Sequence, residues 1–308
     1  MRSLGIDIGG ANVKVAFSRG YEIIYNPIWK FKDKLRYLLA EIAKKYNPDR
    51  VGVVITAELS DVFKNKEEGI EFIADVCKEV FREVYFLNLD GELKDEIDKP
   101  RDFAASNWVA SVMFLLKEGY RNFLFVDIGS TTTDLIPVTD RIEAAKTDFE
   151  RLKRRELLYF GILRTPVFYV LREFEGVPLC PEYFAITADV FVVTGDISEK
   201  DYTCETPDGR GKSYEDCLRR LARTLCCDLE ELGVEKAKEL AFKAKESMKK
   251  MLSDAIKEKL SRDMKVFACG IGEFLVEEIC ECIKLSEVYG DFSKVFPAYA
   301  MLKLIEEE

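Results

Sequence analysis

Residues Phe123–Val138 read FLFVDIGSTTTDLIPV. The apolar run Phe123–Val126 breaks at Asp127-Ile-Gly129-Ser130-Thr131-Thr132-Thr133-Asp134 and resumes at Leu135, Ile136 and Val138. This pattern is a strand, a tight turn and a returning strand: a β-hairpin with hydroxyls crowded at its tip. Gly129 is expected to permit the turn and a close approach to a ligand, and successive N–H groups there can form an anion nest. Ser130, Thr131, Thr132 and Thr133 add short donors, while Asp127 and Asp134 offer hard oxygen ligands of the kind Mg²⁺ takes.

The stretch has an echo at the N-terminus, Leu4-Gly-Ile-Asp7-Ile-Gly9-Gly10-Ala-Asn12-Val-Lys14-Val-Ala-Phe17. Both run in the order apolar strand, Asp-Ile-Gly, small or polar turn, apolar strand, and Asp127 follows Asp7 by 120 positions. Either hairpin alone is as readily a plain connector. The pair points to an internal duplication. A third glycine turn, Cys269-Gly270-Ile-Gly272-Glu273, leads into a helical pattern whose N-terminus favours negative charge. Together these features predict phosphate binding by Gly9, Gly10, Asn12, Lys14, Gly129, Ser130, Thr131, Thr132, Thr133, Gly270 and Gly272, with Asp7 and Asp127 placed for Mg²⁺ and catalysis. Lys14 and Arg164 could neutralise phosphate charge; the plain alternatives are a solvated strand lysine and an interlobe salt bridge.

Composition narrows the chemistry. The 308 residues carry a net charge of −10, which argues against a nucleic-acid backbone as partner. No run of about 18 apolar residues exists to span a membrane, and residues 1–17 lack the plan of a signal peptide, so the expected location is the cytoplasm. The nine cysteines form no CxxC pair and are odd in number, which favours small buried thiols. There is no histidine. Ser-His-Asp and Cys-His catalysis and histidine metal sites are therefore excluded.

Along the chain, the spacing predicts a third strand at Tyr21–Ile28, a helix at Lys30–Tyr46, a buried strand at Val51–Thr56, a helix within Asn65–Val84, a strand at Tyr85–Leu89 and a helix at Phe103–Lys117. Beyond the second hairpin come the polar-basic Gly161-Ile-Leu-Arg164-Thr-Pro166, the segment Phe184–Val190 leading into a short strand or helix that ends at Thr194-Gly-Asp196, helices at Tyr214–Leu232 and Glu235–Leu260, a strand at Lys265–Cys269, and helices at Glu273–Ile283 and Phe296–Ile305. Strands alternating with helices define an α/β class. The expected domains are 1–119 as first lobe, 120–294 as second lobe, and 295–308 as a terminal helix packing on the first. Two Asp-Ile-Gly hairpins facing one another across a cleft would clamp a polyphosphate.

The hairpins Gly5–Val15 and Val126–Leu135, with Ala268–Glu273, resemble the phosphate loops of the actin/Hsp70/sugar-kinase superfamily. That resemblance implies a two-lobed, ribonuclease H-like fold with a cleft between the lobes. Within the superfamily the chain resembles the hydantoinase/oxoprolinase-related group. More narrowly, AASNWVAS (104–111), FGILRTPV (160–167), TADV (187–190) and PDGR (207–210) resemble an archaeal family of aryl-ether synthases in methanofuran biosynthesis. The resemblance implies a transferase that acts on a furanmethyl diphosphate and γ-glutamyltyramine with Mg²⁺ as cofactor. The tyramine phenol would displace diphosphate. A phenol of pKa about 10 must lose its proton on the way; Asp134 and Asp189 are the candidate acceptors, and Asn107 and Arg164 the candidate contacts to the organic substrates. An ATP-dependent kinase or ATPase, or a non-catalytic nucleotide sensor, stays open on this fold, as does a homo-oligomer.

Overall fold

The computed structural model describes residues 2–306; Met1, Glu307 and Glu308, the outermost residues of the first lobe and terminal helix expected above, lie outside it. The chain divides into two compact units, one of Met1–Phe123, Ile136–Arg151 and Leu285–Glu308, the other of Leu124–Leu135 and Leu152–Lys284.

The first unit is built on a six-stranded sheet. β1 (Ser3–Gly9), β2 (Asn12–Phe17) and β3 (Gly20–Tyr25) form an antiparallel meander. On its other edge β1 pairs in parallel with β4 (Arg50–Thr56), which pairs in parallel with β5 (Val84–Leu87), and the short β6 (Leu93–Lys94) closes the sheet. Parallel neighbours need crossovers, supplied by helices α1 (Lys34–Tyr46) and α2 (Lys66–Val80). The α2 helix starts where Asn65 accepts from the Glu68 N–H at 2.9 Å and the Glu68 carboxylate accepts from the Lys64 N–H, a reciprocal cap. Leu35, Leu39 and Ile42 of α1 and Ile70, Ile73 and Cys77 of α2 bury one stripe each against β1 and β4. The helix α3 (Asn107–Lys117) follows a one-residue parallel bridge between Ile55 and Ala104. The C-terminal helix Phe296–Glu306 lies on β1 and β4. Gly5 and Gly52, opposite each other in the β1/β4 register, make room for it. A Cβ on Gly5 would stand 1.9 Å from the Ala298 carbonyl oxygen, and one on Gly52 2.9 Å from Ile305.

The second unit surrounds a five-stranded sheet ordered Ile283–Lys284, Lys265–Cys269, β7 (Phe123–Ile128), β8 (Thr133–Val138) and β9 (Leu157–Leu158). Its core joins Leu124, Val126 and Ile128 to the helices Thr187–Thr194, Tyr214–Arg223 and Val234–Lys259. The last of these buries Ala237, Leu240, Ala241, Ala244 and Met248 along one face, as their spacing predicts. Two predicted helices begin four residues late, at Lys34 and Asn107, and two others end early. Tyr214–Leu232 stops at Arg223; Cys226 takes φ +57°, and a new turn begins at Asp228, which accepts from the Glu231 N–H. Glu273–Ile283 stops at Glu277, because Ile283 is drawn into the sheet opposite Phe267.

Candidate functional site: the Asp-Ile-Gly hairpins

In the second unit three predicted segments meet. The turn between β7 and β8 is closed by the Gly129 N–H donating to Thr132 O at 2.9 Å. The segment 160–166 lies on this tip: Ile162 N–H donates to Gly129 O at 3.0 Å, and Leu163 and Arg164 N–H to Ser130 O at 3.1 and 3.0 Å. Gly161 makes the approach feasible, since a Cβ there would stand 2.5 Å from Thr131 N and 2.6 Å from Gly129 O. The third segment is the glycine turn. Gly272 N–H donates to Ile128 O at 3.0 Å. Gly270 adopts φ +83°, and its missing Cβ would fall 2.4 Å from Asp127 Oδ1. Glycine is required at 270 on both counts.

Two expectations change here. Gly129 lies outside the left-handed region, and a Cβ on it would meet only Thr132 O at 3.6 Å, so the turn itself does not need glycine. The Thr133 hydroxyl is buried and donates to Phe160 O at 2.9 Å, so it fastens segment 160–166 rather than facing a ligand. The half-buried tip residues Ser130, Thr131 and Thr132 stay at the surface of the turn, with 3.4 Å between the Ser130 and Thr131 hydroxyl oxygens.

The first unit carries the other hairpin, Gly9–Asn12. The loop 26–28 braces it, with Asn26 N–H donating to Ala11 O and Ile28 N–H to Gly10 O. Asp7 is buried. Its Oδ2 lies 3.2 Å from Lys14 Nζ, the cross-strand neighbour of Asp7 in the β1/β2 register, and its Oδ1 accepts from the Thr56 hydroxyl at 3.1 Å. The alternation around Lys14 hid this pairing. Thr56, at the carboxyl end of β4, is a residue the sequence reading missed.

Among the described residues no group of three or more His, Cys, Asp or Glu side chains could hold a metal ion. Mg²⁺ typically needs only one or two carboxylates when it arrives on a polyphosphate. Asp127, half-buried beside the Gly270 turn, fits that requirement. Asp7 is already paired with the Lys14 ammonium, which leaves it less suited to that role.

The remaining predicted residues are dispersed. Asp134 is buried in β8, opposite Leu157. Asp189 is completely buried: Oδ1 accepts from Arg220 and from the Tyr202 hydroxyl at 3.1 Å, and Oδ2 accepts from the Ile186 N–H at 3.0 Å. Burial pushes its carboxyl up while the Arg220 guanidinium opposes the rise. This pair ties the helix Thr187–Thr194 to Tyr214–Arg223, which makes Asp189 a structural partner rather than a proton acceptor. Asn107 opens α3 in the first unit, half-buried, and Arg164 stands on the loop over the second hairpin, where its charge is felt by Tyr183 and Cys204. Thr165 and Thr187 lie in segments the sequence singles out, FGILRTPV and TADV, without a role of their own. Both hydroxyls donate to Gly161 O, at 3.3 and 2.8 Å, and so shape the loop beneath the hairpin tip.

An α/β protein of two units, each with an Asp-Ile-Gly hairpin within its sheet, has the organisation of the actin/Hsp70/sugar-kinase fold. The structure of a ROK family glucokinase from Streptomyces griseus in complex with glucose and AMPPNP shares that fold, with a TM-score of 0.51 at 11% identity over the whole of both chains. More narrowly, residues 49–303 match the hydantoinase/oxoprolinase family, and the chain belongs to it. A curated relative from Methanocaldococcus jannaschii is 42% identical over 99% of this chain and 98% of its own length; its name is (4-{4-[2-(gamma-L-glutamylamino)ethyl]phenoxymethyl}furan-2-yl)methanamine synthase. A relative of the same name from Methanococcus vannielii is 34% identical over 61% of this chain and 92% of its own. No helix among the described residues is long and apolar enough to cross a membrane.

Proposed function

We propose that this protein is a transferase of methanofuran biosynthesis that joins the methylene carbon of an (aminomethyl)furanmethyl diphosphate to the phenol oxygen of γ-glutamyltyramine. The carrying observation is the 42% identity across the full length of a synthase whose name describes that aryl ether. The hairpins supply what such a reaction needs. Loops built to hold polyphosphate oxygens would hold a diphosphate leaving group, with the turn amides and the Ser130, Thr131 and Thr132 hydroxyls as donors, and Lys14 adding positive charge beside Asp7. Asp127 would hold Mg²⁺, whose contribution is to neutralise the charge that the diphosphate gains on departure. A furfuryl carbon stabilises positive charge, which lets departure run ahead of attack. The test is mass spectrometry after incubating protein, Mg²⁺, γ-glutamyltyramine and the furanmethyl diphosphate, with and without ATP. Ether formed without ATP, and lost in Asp127→Ala, is the expected result. No ether in either condition, with ADP formed from ATP, would overturn the reading in favour of a kinase or ATPase.

A further inference from the structure

Among the described residues, seven polar side-chain atoms are buried without a hydrogen-bond partner, all in the first unit; three of them, Glu58 Oε2, Ser106 Oγ and Trp108 Nε1, stand close to one end of its sheet. Their residues are exposed by 2% or less. All three stand where the sheet ends. Glu58 follows β4, and Ser106 and Trp108 follow the bridge that sets Ala104 beside Ile55. A chain of contacts joins the two loops: Glu58 Oε1 to Lys66 Nζ at 3.7 Å, Lys66 to Asp148 at 3.8 Å, Asp148 to Arg151 at 3.3 Å, and the Arg151 guanidinium over the Trp108 ring at 4.6 Å. The carboxyl ends of parallel strands are where open α/β sheets bind ligands, and here that edge also holds Asp7 and the first hairpin. The edge is not sealed, because Thr56, Ser60, Ala105 and Asn107 reach solvent and Leu59 is 68% exposed.

A buried carboxylate oxygen that accepts nothing is an arrangement that folding alone does not reward. We infer that Glu58 is the proton acceptor for the phenol in the transfer reaction, an inference that rests on the function proposed above. In this step the phenol O–H bond breaks and its proton passes to Glu58 Oε2. The phenolate oxygen bonds to the furanmethyl carbon, and the electron pair of the breaking C–O bond leaves on diphosphate. Ser106 and Trp108 stand on the same edge as donors suited to an oxygen that becomes anionic. The environment agrees with the role. Burial pushes the Glu58 carboxyl up to about 7, with Lys66 pulling it down and Asp148 pushing it up, and a general base works best when its pKa lies near the working pH. In a chain with no histidine, a tuned carboxylate can fill that place.

The experiment compares wild type and Glu58→Gln on γ-glutamyltyramine and on its ring-difluorinated analogue, whose phenol ionises near neutral pH. With the native phenol, kcat should fall by about 10²–10⁴-fold, the usual contribution of general base catalysis, with little change in KM. With the fluorinated phenol most of the loss should disappear. An equal loss with both phenols, or no loss, overturns the assignment while leaving the function intact; absence of product from wild type overturns both. If Glu58→Gln does not fold, the wild-type pH profile decides. A rise in kcat/KM through one ionisation near pH 7 supports Glu58, and a flat profile from pH 6 to 8 excludes it.

Discussion

Replacing Gly161 by alanine should damage this protein far more than replacing the motif glycine Gly129. The new Cβ at 161 would face backbone on every side: Thr131 N at 2.5 Å, Gly129 O at 2.6 Å and Ser130 C at 2.6 Å. Ordinary contact begins near 3.4 Å, so loop and hairpin tip must separate by about 0.9 Å. No flexible side chain is available to yield. The tip is held to the loop by the Ile162, Leu163 and Arg164 N–H groups, so moving it loosens those bonds as well. Overpacking of this kind costs about 1–3 kcal/mol of stability, and a catalytic geometry displaced by about 1 Å loses on the order of 100-fold in rate. Gly161→Ala should therefore remain folded, melt earlier, and show kcat/KM for ether formation reduced by roughly 100-fold. Gly129→Ala, with its nearest new contact at 3.6 Å, should melt like wild type. Thermal melts and mass-spectrometric product assays on the two variants give the comparison. Wild-type melting and turnover in Gly161→Ala would refute the claim that the loop positions the hairpin.

Gly5→Ala forces a Cβ to within 1.9 Å of the Ala298 carbonyl oxygen, so denaturant unfolding should show a loss of about 3 kcal/mol as the C-terminal helix is pushed off β1. Asp189→Asn leaves the buried Arg220 with Asp208 as its remaining charge partner and should cost about 3 kcal/mol in the same assay; full stability would show that the pair is dispensable. The Glu58 carboxyl binds its proton more tightly in the folded state, so wild-type stability should fall as pH rises from 4.5 to about 7, by an amount on the order of 3 kcal/mol. In Glu58→Gln this decline should vanish, which unfolding curves at pH 5 and pH 8 would check. Cys180 and Cys226 hold their sulfurs 3.2 Å apart, with Cys226 exposed and the Cys180 N–H donating to Thr224 O. Diamide should oxidise this pair to a disulfide, read by peptide mass spectrometry as the loss of two hydrogens, and Cys226→Ser should abolish it.

Both hairpins were legible because their cause is local. An apolar run, an Asp-Ile-Gly turn and a second apolar run fall within sixteen residues at Phe123–Val138, and the same order recurs at Leu4–Phe17. What the sequence hid depends on atoms far along the chain. Gly5 and Gly52 matter because a helix from the other end of the chain lies on them, and Gly161 because the tip of a hairpin thirty positions earlier does. Nothing near those glycines sets them apart from a loosened strand or a loop. Asp189 looked like a reactive carboxylate for the same reason, since its partner Arg220 lies on another helix. The helix predicted through Tyr214–Leu232 ran too far because apolar spacing continues across Cys226, although Asp228 and Glu231 carried a capping signal that marks a restart.

The two hairpins also illustrate how equal sequences acquire unequal roles. Asp7 and Asp127 occupy the same place in the repeat, yet Asp7 is buried against Lys14 and Thr56, whereas Asp127 rests beside a glycine turn that admits no side chain. The Asp7 carboxylate is thus met within the fold by an ammonium and a hydroxyl. Glu58 follows from the same logic. It lies in an unremarkable Ala-Glu-Leu-Ser loop, two residues past the threonine that binds Asp7, and it is burial together with an unpartnered Oε2 that sets it apart from the buried and paired Asp7 and Asp189.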